Sequence, residues 1–363
     1  MSIPSGISAL RLGGQRCRLF DYLIRVLPGI SLCVALTIAA FGLQAIEVHF
    51  VGQPYLEALV LAILIGVAVR SFWTPGKLFA PGLDVSAKFV LEVAIVMLGA
   101  AVSVGTILAL GPFLIFGIAA IVSFAIGISF LICRILRLPM RMSILIACGN
   151  SICGNSAIAA VAPVIGADGD DVASSISFTA VLGVIVVLSL PLLVPILTLS
   201  LTQYGVLAGL TVYAVPQVLA ATLPIGALSN QVGTVVKLVR VMMLGPVVLC
   251  FSVFARNLRA AAKHGPPPER RLRVSEFVPW FIVGFLLVLM LRSLGLIPQG
   301  FIAPVTRTAA LLTTVAMAAL GLGVDVRVVA RTGVRVTLAV TGSLIVLGAM
   351  SYGLIRLVGI GGP

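Results

Sequence analysis

Two Gly-Asn-Ser tripeptides, at 149–151 and 154–156, stand within eight residues of each other in the apolar run ILIACGNSICGNSAIAAVAP. Gly149 and Gly154 each lower helix propensity by about 1 kcal/mol relative to alanine, so a helix is expected to open there. An opening frees the N–H groups that begin the next half-helix, SAIAAVAPVIG, whose positive dipole end favours an anion. Asn150, Ser151, Asn155 and Ser156 add neutral donors to that cradle. The chemistry this supports is reversible binding of an anion. Small residues at such spacing also form close helix–helix seams, the reading that glycine alone would favour; two bulky amides weigh toward a site.

A second stretch, LAGLTVYAVPQVLAATLPIG (207–226), is its partner. Pro216 cannot donate a backbone hydrogen bond and clashes with the preceding turn, which predicts a break near Tyr213–Pro216 with Thr211, Tyr213 and Gln217 as its polar groups. Lys237 and Arg240 in TVVKLVRVMML lie three apart, share a helical face and suit a dianion; snorkelling to the interface is the alternative, better for Lys237 than for Arg240. Lys88 and Glu92 lie four apart and have the spacing of an ion pair. Glu92 is also the only carboxylate well inside an apolar segment, which makes it the candidate ion-coupling residue. Asp168, Asp170 and Asp171 read as helix N-terminal caps, and Asp325 as interfacial.

Other chemistries find little support. A hydrolase would need Ser151 or Ser156 beside a base, but His49 and His264 fall in predicted loops on opposite sides and no G-x-S-x-G elbow occurs. Cys148 and Cys153 are five apart with no nearby histidine, so the six cysteines read as packing residues. No enzyme activity, cofactor or metal is expected.

The elements that must position these residues follow from composition. With 60% hydrophobic and 10% charged residues and a mean hydropathy of +1.23 over 363 residues, the chain reads as an all-α polytopic membrane protein. Eleven apolar segments recur, near 27–46, 55–69, 86–106, 111–132, 141–166, 173–198, 203–226, 234–255, 277–291, 303–323 and 336–357. Eighteen of the 24 Lys/Arg fall on one side of alternating crossings, which the positive-inside rule makes the cytoplasm. The net charge of +13 is thereby spread over separate short loops, and a nucleic-acid partner is not expected. Residues 1–26 lack a small-residue cleavage site and are read as a retained cytoplasmic tail. Residues 27–357 form one transmembrane domain, and 255–276, with six basic residues and three consecutive prolines, is a cytoplasmic loop. The expected location is the bacterial inner membrane.

The chain also repeats itself. Sliding residues 70–111 onto 292–333 gives eleven identities without a gap, among them Arg70/Arg292, Ser71/Ser293, Leu98/Leu320 and Gly99/Gly321. A weaker match sets 149–163 on 209–224. Duplicated halves, here about 55–198 and 203–357, are the mark of inverted-repeat transporters. Whether 141–166 and 203–226 cross or re-enter is open from charge alone, and broken or re-entrant helices facing each other are preferred.

GNSICGNSAIAAVAPVIGA, the later VVKLVR and the near-terminal AMAALGLGVDV resemble a bacterial membrane-protein family designated sulfate exporters, grouped with the cation–proton antiporter and anion-transporter superfamily. The resemblance spans about 28–357. It implies a secondary transporter of a small inorganic or organic anion, with export as the direction and a cation–proton antiporter as the alternative. It also implies a scaffold and a mobile core that move in an elevator-like step. The oligomeric state is open, a homodimer being one option. Two departures stand out: Asn150 replaces a small residue, and Thr211-Val212-Tyr213-Ala214 stands where the family tends to carry Ser-Ile-His-Glu.

Overall fold

A computed structural model describes residues 9–51, 57–101, 111–261, 280–324 and 334–359. All regular structure among them is helical. Asp325, His264 and most of the basic 255–276 loop lie outside the described residues. Among the described residues six stretches are long and apolar enough to cross a bilayer: Ile24–Phe50, Leu114–Ile135, Ser174–Leu197, Ala227–Phe251, Gln299–Gly323 and Val334–Val358. The remaining expected segments are shorter or interrupted helices, as described next.

Helix α1 (Ala9–Val51) already begins inside the expected tail and continues through Pro28. It is followed by α2 (Ala58–Phe72), then α3 (Ala80–Val85), a π turn (Ser86–Val90) and α4 (Leu91–Leu98). After α5 (Gly111–Ile135) the 141–166 segment divides into α6 (Met140–Ser151) and α7 (Asn155–Ile165). Helix α8 (Gly169–Ser189) passes through a short 3-10 turn into α9 (Leu193–Leu197). The 203–226 segment divides likewise into α10 (Leu201–Thr211) and α11 (Val215–Thr222). Helices α12 (Ala227–Met242), α13 (Leu244–Ala261), α14 (Trp280–Ser293), α15 (Gln299–Gly323) and α16 (Val334–Val358) complete the described residues.

The two interruptions share a cause. In each, a helix of 11 or 12 residues stops three residues before a shorter one starts, and the linking residues are Ile152-Cys153-Gly154 and Val212-Tyr213-Ala214. Gly154 holds φ +64° and ψ −122°, a conformation open to glycine and strained for other residues. In the second break Pro216, in the first turn of α11, withholds the N–H that would have continued α10. Gly149, by contrast, lies within α6, so the first break falls at 152–154 and not at the earlier glycine.

Helix α2 packs along α15, and α14 along α4. The two contacts are closest at matching positions. A Cβ on Gly321 would run into the carbonyl oxygen of Ile63, and a Cβ on Gly99 would lie 2.5 Å from that of Phe285. Gly99/Gly321 and Ile63/Phe285 are both pairs at the 222-residue offset found in the sequence. Close backbone approach at small residues is how helices gain packing where lipid offers no hydrophobic drive.

Candidate functional site

The two breaks meet around Lys237 and Arg240, both fully buried on α12. Lys237 Nζ donates to the carbonyls of Ile152 (2.7 Å) and Val212 (2.9 Å). Arg240 donates through Nε to Ser151 O (2.6 Å), through Nη1 to Val212 O (3.1 Å), and through Nη2 to Asn150 O. These carbonyls are the ones that helices α6 and α10 leave unpaired at their C-termini. Two cations therefore neutralise two negative dipole ends. The side chains expected to meet a dianion direct these donors at backbone carbonyls instead.

Asn150 is also turned away from any open space. It is 1% exposed, donates through Nδ2 to Val340 O (3.1 Å) on α16, and accepts from the Tyr213 hydroxyl. The amide thus ties one break to the other and both to α16. Ser151 is 1% exposed, and its hydroxyl has no hydrogen-bond partner. Thr211 bonds back to Leu207 O (2.6 Å) in its own helix and faces a different, mostly apolar cavity beside α16.

The positive ends of the half-helices point elsewhere. The starts of α7 and α11 both border a cavity of about 580 Å³, lined by Asn155, Ser156, Tyr213, Ala214 and Gln217. Neither helix start has a side-chain cap on its first-turn donors, although Gln217 Oε1 accepts from Ala214 N (3.2 Å). The Thr179 hydroxyl lies 2.7 Å from the Asn155 side-chain amide and holds it at the cavity. The same lining carries Leu83, Leu320, Leu322 and Val324. Arg70, Asp84 and Lys88 are the charged residues of the lining. A second cavity of about 150 Å³ adjoins it and holds Glu92 and Lys237; Lys88, Cys153, Ser156 and Tyr213 line both.

A family profile described as "Conserved hypothetical protein 698" matches residues 28–340. The chain belongs to this family of UPF0324 membrane proteins. It is 57% identical over 335 residues to a UPF0324 membrane protein of Brucella melitensis, covering 92% of each chain. The corresponding figures are 55% over 331 residues for one of Bradyrhizobium diazoefficiens (91% and 93% covered) and 31% over 332 residues for one of Bacillus cereus (91% and 91%). No solved structure matches the chain. With six apolar helices of spanning length, this UPF0324 protein is a multi-pass membrane protein.

Of the residues singled out in the sequence of this UPF0324 chain, Asn155, Ser156, Tyr213 and Gln217 are gathered at the larger cavity. Gly154 shapes the turn that presents them. Gly149, Asn150, Ser151 and Thr211 support the breaks from behind, and Lys237 and Arg240 hold the carbonyl ends. Glu92 accepts from Trp280 Nε1 (2.7 Å) and forms no ion pair with Lys88. Asp168 sits at the N-cap of α8 without capping it; its carboxylate pairs with Arg141 Nη1 at 3.3 Å.

Sequence reasoning passed over Cys153, Arg70, Asp84 and the cavity role of Lys88. Cys153 had a signal, since it aligns with Tyr213 when the two breaks are superposed at a constant offset of 60. Arg70 and Asp84 lie at the ends of apolar segments, where charge reads as interfacial.

Proposed function

We propose that this UPF0324 protein is a secondary transporter of a small inorganic or organic anion, sulfate-like in its oxyanion head, moving it outward across the bacterial inner membrane with the N-terminus in the cytoplasm. The observation that carries this reading is the convergence of two interrupted helices on one cavity with their N-terminal ends, while their C-terminal ends are held by Lys237 and Arg240. Donors face the open space and acceptors are withdrawn from it, an arrangement that favours negative charge. The reciprocal glycine contacts at the 222-residue offset support two inverted repeats. The meeting of the half-helix ends with α2, α3 and α15 across one cavity supports a mobile core against a scaffold, moving in an elevator-like step.

The antiporter alternative has one observation in its favour: Asp84 and Glu92 each place a carboxylate at a cavity wall. Everted membrane vesicles separate the two. The anion reading expects protein-dependent movement of labelled sulfate or sulfite. A sodium-driven pH change with no anion movement would establish the antiporter instead.

A further inference from the structure

The helix that carries Lys88 interposes a π turn, Ser86–Val90, between α3 and α4. Such turns widen a helix locally and recur at functional sites. Asp84 lies four residues before Lys88 and Glu92 four after, so the three charges run along one side of the segment. Their distribution over the open spaces is ordered. Asp84 lines the larger cavity alone, Glu92 the smaller alone, and Lys88 both, beside Ser156 at the start of α7. No ion pair joins Lys88 to either carboxylate. Arg70 borders only the larger cavity, and the donors of Lys237 are directed at carbonyls.

We infer that Lys88 is the specificity-determining residue of the anion site: its ammonium is the countercharge for the bound anion and reaches it from either cavity. The inference rests on the transporter reading above and gives it a residue. The first turns of α7 and α11 supply direction and partial charge, and Lys88 supplies the one full charge common to the two cavities. Asp84 and Glu92, one on each side and neither paired with Lys88, set the negative charge that opposes an approaching anion.

The test uses the full-length, detergent-purified chain and follows its apparent melting temperature with sodium sulfate, sulfite, acetate or malonate against sodium chloride. Any anion that stabilises the parent protein should do so about ten- to a hundredfold less tightly in Lys88→Gln. Lys88→Arg should keep most of the response, and Asp84→Asn should strengthen it. The exposed Lys88 side chain leaves the melting temperature without anion near the parental value, so misfolding is read separately. A parental response that persists unchanged in Lys88→Gln overturns the role of Lys88 and leaves the transporter reading standing. A parental chain that answers to none of the four anions, and moves none in vesicles, overturns the reading on which the role depends.

Discussion

Arg240→Met offers the sharpest check on how the crossing of the two breaks is held together. In the native chain the guanidinium is the donor to the carbonyls of Asn150 and Ser151 and shares that of Val212 with Lys237. Its loss leaves two buried acceptors unmatched, at about 1–3 kcal/mol each, partly offset because a buried charge no longer has to be desolvated. The net destabilisation comes to about 2–5 kcal/mol. Lys237→Met should cost about 1–3 kcal/mol, since only Ile152 O loses its donor while Val212 O keeps Arg240. For a chain of this length roughly 2 °C accompanies each kcal/mol, so the apparent melting temperature in detergent should fall about twice as far for Arg240→Met as for Lys237→Met. Arg240→Lys retains a charge that reaches one carbonyl and should fall between them. If the order is reversed, carbonyl satisfaction is not what Arg240 provides. If Arg240→Met melts like the parent but loses its response to anions, the arginine belongs to the substrate after all.

Three further outcomes follow from the same geometry. Gly154→Ala must adopt φ +64° with its new Cβ 3.2 Å from that of Tyr213, and should lose about 1–3 kcal/mol; Gly149→Ala, which keeps a helical backbone and meets the side chains of Ile158 and Thr179, should lose less on the same melting assay. Asn150→Ala removes the bonds to Tyr213 and Val340 and should destabilise by about 1–3 kcal/mol while leaving the concentration dependence of any anion response intact, because Asn150 does not line the cavity. Ser156→Leu, which places a branched side chain where both cavities meet, should abolish the anion-induced shift with little change in melting without anion; an undiminished shift would remove the start of α7 from the site.

What was legible in the sequence was the set of breaks, because glycine and proline act through the local backbone and need no partner to be understood. Apolar run lengths carried the all-helical membrane architecture in the same way, and the 222-residue offset carried the matched glycine contacts. What was not legible was which end of each half-helix a polar residue serves. Asn150 and Asn155 occupy equivalent places in the two tripeptides, yet one closes a buried bridge to Tyr213 and Val340 while the other lines the cavity. The difference arises because Asn150 lies in the last turn of α6 and Asn155 in the first turn of α7, a distinction set by a break that begins three residues after the first glycine. The same ambiguity governs Lys237 and Arg240. A buried cation three residues from another suits a dianion as well as it suits two carbonyl ends, and sequence spacing is identical in both cases. Only the approach of α12 to the C-terminal ends of α6 and α10 decides, and it decides for carbonyls. A dehydrated pair of helix C-termini is a negative feature that any anion carrier of this design has to mask, and the residues that mask it are as necessary to an anion site as those that touch the anion.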